Sequence, residues 1–390
     1  MVNINNVKGF SDYLGADATK REKIKEIIKK QFEFYGFEPA ETPIIEQEEF
    51  TTGNNEKDQA VRDIFKLKDR GERKLALRYE FTFQLKRIAK NQKLPYKRYQ
   101  IGDVFRDEPI REGRTRQFMQ LDADIIGSNI KNEAEILAMA KKIFEELKIP
   151  IKIYINNRKL TNEILVNENI KERDMNQVIR ELDKLDKLSK KEVADNLRKY
   201  GAEKLIKTFD KEEREFEKYS YYKEIKELKK FCKLYSVEVE FKPFLARGLS
   251  YYNGSVFEIW SEKLNVSICG GGSYLIDKTQ STGITFGLEP IYLISEVKGK
   301  NIDVEIISIN EDEASIRLAE SLRKENISTI LILDKTIGKA LDYANSKGIK
   351  KVIFVGKDEV KEKKFKVKDM ESGKEKLMNE KEIIEIFKDE

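Results

Sequence analysis

Residues 99–127 read YQIGDVFRDEPIREGRTRQFMQLDADIIG, and their pattern sets the fold class of the larger part of the chain. It predicts two antiparallel strands around a basic loop. The first runs from Tyr99 to Phe105 and delivers Arg106 at its end; the turn region, Asp107 to Thr115, carries Arg111, Arg114 and a glycine that cannot continue a strand. In the returning strand a period of two puts Phe118, Gln120, Asp122 and Asp124 on one face and Met119, Leu121, Ala123 and Ile125 on the other. The apolar face packs on a core, which leaves the polar face for solvent or a ligand. Arginines fixed at such a sheet suit phosphate, because a guanidinium offers paired planar donors and stays charged at any working pH.

The chain has 390 residues, enough for two or three domains with their own cores. It holds no run of eighteen apolar residues and opens without a signal-peptide pattern, so a soluble, cytoplasmic protein with no membrane partner is expected. Cys232 and Cys269 have no metal-ligand spacing and are too few for a disulfide framework. Histidine is absent altogether, which removes the usual general base near neutral pH and every Ser-His or Cys-His nucleophile. Chemistry must therefore run on carboxylates, arginines, hydroxyls or a bound metal ion. The net charge of +5 is uneven: residues 301–390 carry 18 basic and 20 acidic groups, so any attraction for nucleic acid comes mainly from the larger part or from local patches.

Outward from the hairpin, Thr19 to Glu22 form a capping-box pattern ahead of Ile24, Ile27, Ile28 and Phe32 at helical spacing. That predicts a long amphipathic helix ending near Gly36, then an extended stretch interrupted by Pro43, which belongs at an edge or an interface. Strands are expected over 64–68 and 151–157, with helices over 83–91 and 132–147 and the segment 75–82 leading into the first of these helices. Residues 159–233 are helical and densely charged, with apolar positions still at helical spacing, and read as a small packed insertion. Strands follow over 237–241, 255–260 and 265–269, and Gly270 to Gly272 let the backbone approach something closely, or form a loop. Beyond Lys298 strand-helix alternation, with elements over 304–309, 314–324, 328–333, 337–346 and 351–355, predicts a compact α/β module with a partly parallel sheet.

In this order the elements resemble a class II aminoacyl-tRNA synthetase, most closely the histidyl-tRNA synthetase family, over nearly the whole chain. FRDE (Phe105 to Glu108) with the strand after it is similar to the second family motif, and EFYGFEPAETPIIE (Glu33 to Glu46) to the first, whose proline lies at a dimer interface. LARGLSYYNGSVFE (Leu245 to Glu258) matches the histidine-specific signature, and GKALDYANSKGIKKVIFVG (Gly338 to Gly356) suggests the family's anticodon-binding domain. The resemblance implies an α+β protein: an antiparallel-sheet catalytic domain over 1–298, interrupted by the helical insertion 159–233, then an anticodon-binding-like α/β domain over 299–390.

It also implies roles. Arg106 would contact the α-phosphate of ATP and the histidine carboxylate, with Arg247 as the second cation at the reaction centre. Glu80, Thr82 and Gln120 would hold the amino group. Asp124 and Tyr252 would read the imidazole, with Tyr251 beside them and Tyr274 lining the pocket. Arg114 would reach the terminal phosphates, Phe118 would stack on adenine, and Glu108 completes the ATP-binding set. The implied activity is ATP-dependent histidine–tRNA ligation with Mg²⁺, by a homodimer joined near Pro43, with tRNA(His) as partner. The chemistry fits: the attacking carboxylate is already ionised, and charge gathers on the α-phosphate in the transition state.

Two departures keep a second reading open. The third motif, TFGLEPIYLI (Thr285 to Ile294), has Pro290 where the family carries an arginine, and GGGSYLID lacks the arginine and Asp-Gly that usually surround its tyrosine. The alternative is a non-catalytic paralogue resembling the regulatory subunit of ATP phosphoribosyltransferase. A synthetase for another amino acid on the same fold is a third.

Overall fold

The hairpin forms the middle of a large sheet. A computed structural model of the chain describes residues 4–53, 59–110, 115–186, 188–247, 251–264, 266–299 and 302–388. In chain order the strands are β1 (Glu38–Pro39), β2 (Ile45–Gln47), β3 (Lys66–Lys68), β4 (Lys74–Leu77), β5 (Tyr96–Phe105), β6 (Gln117–Ile126), β7 (Ile151–Asn157), β8 (Glu240–Phe241), β9 (Tyr252–Ser261), β10 (Val266–Ile276) and β11 (Thr279–Gly287), then β12 (Val304–Ser308), β13 (Thr329–Ile332), β14 (Lys351–Val355), β15 (Phe365–Asp369) and β16 (Glu375–Met378). The large sheet has eight strands in the order β1-β5-β6-β11-β10-β9-β7-β8. Its central pairs are antiparallel, and a parallel pair closes each edge, β1 on β5 and β8 on β7.

Alternation along β6 works as the pattern requires. Leu121, Ala123 and Ile125 are fully buried on one side. There they meet Ile136, Ala140, Ile143 and Phe144 of helix Ile130–Glu146, and Ile24, Ile28 and Phe32 of helix Gly15–Phe34. Phe286 of β11 sits between Phe32 and Phe144, with ring centroids 5.8 and 5.7 Å away. Burying aromatics of this size contributes about 2 kcal/mol each, so this side is the anchor of the sheet. The opposite side carries the polar residues.

Several elements differ from expectation. The first helix begins at Gly15, four residues before Thr19, whose hydroxyl donates to the Ala16 carbonyl instead of capping. The second begins at Ile130 because Asn129 caps it, accepting from Lys131 N–H in a box with Asn132. Gly270 to Gly272 lie inside β10 and are no loop. The insertion is helical, from Arg158–Asn167 to Tyr222–Leu234, but its apolar residues Val178, Leu197, Phe216 and Leu228 belong to the same core as the sheet. Asn157 and Lys159 at its start both reach Glu224 near its end, at 2.7 and 2.9 Å.

A small second sheet has the strand order β2-β4-β3. Next to it Arg78 donates to the carbonyls of Thr42 and Asp103, at 2.7 and 2.8 Å, and so ties the Pro43 segment to β5. Ile44 and Ile45 remain exposed.

The chain divides into two compact units, one of residues up to 12 and 24–297, the other of 13–23 and 298 onward. The second unit has a five-stranded sheet, β13-β12-β14-β15-β16, parallel among the first three strands and antiparallel beyond. Helices Asp312–Lys324 and Glu380–Lys388 cover one face through Leu318, Leu322 and Ile383. Helix Ile337–Ser346 covers the other through Ala340 and Ala344.

Candidate active site

The polar face of the large sheet is a floor of facing rows set by register. Gln120, Asp122 and Asp124 of β6 lie opposite Gly102, Gln100 and Arg98 of β5, and opposite Gly287, Thr285 and Gly283 of β11. Gly270 and Gly272 of β10 stand next to Thr285 and Gly283. Glycine at these crossings leaves room above the sheet for other groups. A Cβ on Gly283 would overlap Asp124 and stand 2.9 Å from the Tyr274 hydroxyl.

Asp124 is the best-held group on this floor. Its carboxylate accepts from the Tyr274 hydroxyl and pairs with Arg98 Nη2 at 2.7 Å, all three side chains being buried. Burial pushes its pKa up, and Arg98 and Tyr274 pull it back. Asp122, beside it, accepts from Thr285 and is pushed well up by burial and by the Asp124 charge. Tyr251, Tyr252 and Tyr274 form one cluster with ring centroids 4.7, 5.4 and 6.3 Å apart. The Tyr251 hydroxyl lies 3.4 Å from Glu80 Oε2 and 3.5 Å from Thr82 Oγ1. Carboxylate, phenols and a hydroxyl thus converge, a set able to bind a cation and a ring N–H.

Arg106 follows β5 directly. Its N–H continues the ladder to the Arg116 carbonyl at 2.8 Å, Nε donates to the Tyr79 carbonyl at 3.1 Å, and the guanidinium lies 5.1 Å from the Phe118 ring. The Glu80 segment and the β6 face therefore meet at this arginine. Glu108 is half-buried two residues on. Arg111 and Arg114 lie outside the described residues.

Arg247 enters from the segment before β9. Its guanidinium covers Gly270, where a Cβ would stand 2.7 Å from Cζ, and pairs with Glu258 at 3.0 Å. Trp260 Nε1 donates to the other Glu258 oxygen at 3.0 Å. Burial works against the Arg247 charge, but Tyr252 and Glu258 outweigh it and raise its pKa. Arg247, Tyr252, Tyr251 and Glu80 form one contact chain, so the three groups on which the sequence reading turned, Arg106, Asp124 and Arg247, flank a shared floor. Sequence reading missed Arg98, Asp122 as an active neighbour, and Glu289, whose carboxylate accepts the Met119 N–H at 3.2 Å. Only strand register could have brought the first two together.

Pro290 occupies the first turn of helix Leu288–Ile294. Proline is tolerated there because the first-turn N–H groups have no intrahelical partner.

The histidyl-tRNA synthetase family profile matches residues 9–291. The chain belongs to that family. An anticodon-binding-domain profile matches residues 303–390 as well. A Bacillus cereus protein named histidine–tRNA ligase 1 is 33% identical over 416 aligned positions, spanning 96% of this chain and 97% of its own. Two solved structures show the same fold. The histidyl-tRNA synthetase of Nostoc sp. PCC 7120 aligns over all of both chains with a TM-score of 0.86 at 24% identity. A Bacillus halodurans protein described as an ATP phosphoribosyltransferase regulatory subunit/histidyl-tRNA synthetase covers 92% of this chain and all of its own, with a TM-score of 0.78 at 19% identity. No helix among the described residues is long and apolar enough to cross a membrane.

Proposed function

We propose that this protein activates L-histidine with ATP to histidyl-adenylate and transfers the histidyl group to tRNA(His). The observation that carries this reading is Asp124, fixed between Tyr274 and Arg98 on a floor flanked by Arg106 and Arg247. An imidazole presents N–H donors that this buried carboxylate can accept in addition to its Tyr274 and Arg98 contacts, a bond that an apolar isostere would forgo. Glu80, Thr82 and Gln120 receive the α-ammonium, with Tyr251 and Tyr252 beside the ring. The histidine carboxylate then attacks the α-phosphorus; the new O–P bond forms as the bond to the β-phosphate bridge breaks, and pyrophosphate leaves. Arg106 and Arg247 offset the charge that builds on the α-phosphate oxygens. Glu108, Phe118 and Arg114 hold the nucleotide. A terminal ribose hydroxyl of the tRNA afterwards displaces AMP.

Magnesium enters as the MgATP substrate. It keeps water and phosphate oxygens for most of its shell and needs only one or two carboxylates. This suits a site where no group of three or more metal-ligating side chains gathers among the described residues.

Residues 1–298, with the insertion 159–233, form the catalytic part in this reading, and 299–390 bind the anticodon, which the profile match over 303–390 supports. Exposed Ile44 and Ile45 beside Pro43 supply the apolar surface for a homodimer, and the enzyme works in the cytoplasm. Pro290, uncharged in the third motif, favours the second reading, a non-catalytic paralogue resembling an ATP phosphoribosyltransferase regulatory subunit. ATP–pyrophosphate exchange across a panel of amino acids separates them. Exchange with histidine alone supports the ligase; exchange with another amino acid moves the specificity; no exchange leaves the paralogue.

A further inference from the structure

Arg98 is the largest fully buried side chain among the described residues, and the synthetase reading gives it no task. It faces Asp124 directly across the β5–β6 ladder. Its Nη2 lies 2.7 Å from Asp124 Oδ2 and donates to the Phe81 carbonyl at 2.9 Å. Its Nε and Nη1 are buried without a hydrogen-bond partner, so its polar contacts run through Nη2, to the Phe81 carbonyl and the Asp124 carboxylate.

Asp124 needs such a cation. Asp122 lies on the same face two residues away, and Glu80 acts on Asp122 from the neighbouring segment. A carboxylate buried among like charges takes up a proton unless an opposite charge is fixed beside it. Protonated, Asp124 would donate where the ring requires an acceptor, and its preference for an imidazole N–H would be lost. The Tyr274 hydroxyl hydrogen-bonds one oxygen, and the other, buried without a hydrogen bond of its own, lies in the ion pair with Arg98, so the positive charge is fixed beside the oxygen that needs it.

We propose that Arg98 is a positioning residue for amino-acid specificity: acting through Asp124, it keeps the ring-reading carboxylate ionised and oriented. This rests on the reading that Asp124 recognises histidine. The titratable groups around Asp124 are Arg98 on β5, Asp122 on β6 and Tyr274 on β10; Glu80 and Tyr252 lie one contact further. Of these only Arg98 brings a positive charge.

The test is Arg98→Met and Arg98→Lys, each made in the wild-type protein and in Asp124→Asn, with histidine-dependent pyrophosphate exchange and calorimetric histidine binding followed from about pH 6 to 9. Arg98→Met is expected to raise the histidine KM by about tenfold or more and to change kcat by less than about threefold. Its KM should fall back toward wild type as pH rises and Asp124 ionises without help. Arg98→Lys should restore most of the affinity, and with Asp124→Asn present Arg98→Met should change KM by less than about twofold. An unchanged KM and pH profile in Arg98→Met, or an equal rise with and without the Asp124 carboxylate, would overturn the proposal while leaving histidine as substrate. Wild-type protein that neither binds nor exchanges with histidine overturns the substrate reading and this proposal together. If Arg98→Met does not fold, Arg98→Lys decides: a KM shift seen only when Asp124 is intact supports the proposal, and no shift or an equal shift in both backgrounds overturns it.

Discussion

The Arg247 guanidinium rests on Gly270, so close that a single methyl group there would displace it. Gly270→Ala is therefore expected to act on Arg247 without touching its charge. In the proposed function the displaced group serves the transition state, so kcat for pyrophosphate exchange should fall by about tenfold or more, with histidine KM little changed. Steady-state exchange kinetics check this, and a variant with wild-type kcat would show that Arg247 works from another position.

Arg247→Ala should be more severe. One preorganised electrostatic group at a charge-gathering centre is worth roughly a hundredfold or more in rate, so activation should slow on that scale while histidine binding by calorimetry stays largely intact. Wild-type turnover would remove Arg247 from the chemistry.

Gly283→Ala makes the complementary perturbation. Its methyl group would overlap Asp124 and crowd the Tyr274 hydroxyl. The expected outcome is a histidine KM raised by about tenfold, with kcat affected less than in Gly270→Ala. The two substitutions sit on neighbouring strands and should separate binding from catalysis in the same assay.

Glu305 gives a pH prediction away from the site. It lies on β12 under helix Ile337–Ser346, fully buried, with both oxygens unpartnered, and burial raises its pKa to about 7, against a small pull from Lys335. The folded unit therefore holds a proton that the unfolded chain releases near pH 4.5. Stability from this group is complete below that value and is lost as pH rises to about 7, a change of about 3 kcal/mol. Asp369 shifts the other way, held down by Lys351 and Ser372, and acts below its ordinary value of 3.8, outside this window. Calorimetry of the full chain should show the transition of the unit formed by 13–23 and 298 onward falling as pH rises from about 4.5 to about 7. Glu305→Gln should flatten that fall; an unaltered slope would count against the assignment.

How much of this was legible in the sequence depended on range. The polar and apolar faces of β6 follow from alternation alone, and Gln120, Asp124 and the buried Leu121, Ala123 and Ile125 fall where a period of two puts them. β7, helix Ile337–Ser346 and β14 match residue for residue, because turn residues bracket each apolar run. β11, β15, β16 and the last helix went unread. β11 is rich in threonine and glycine, residues that read as a turn until the floor above them explains the missing side chains. β15 (FKVKD) and β16 (EKLM) are short, with two apolar residues each, and gain their order from pairing, β15 with β14 and β16 with β15.

The candidate site shows the same division. Tyrosines, glutamate and arginines could be named from ordered motifs, but Arg98 belongs to no motif and becomes visible only when two strands are laid in register. Glu289 is similar, since its acceptor role depends on a backbone N–H 170 positions away.

The recognition floor is built from tyrosine, arginine, carboxylate and glycine, and the whole chain contains no histidine. Under the proposed function, translating these 390 residues would draw on none of the charged tRNA that the enzyme supplies.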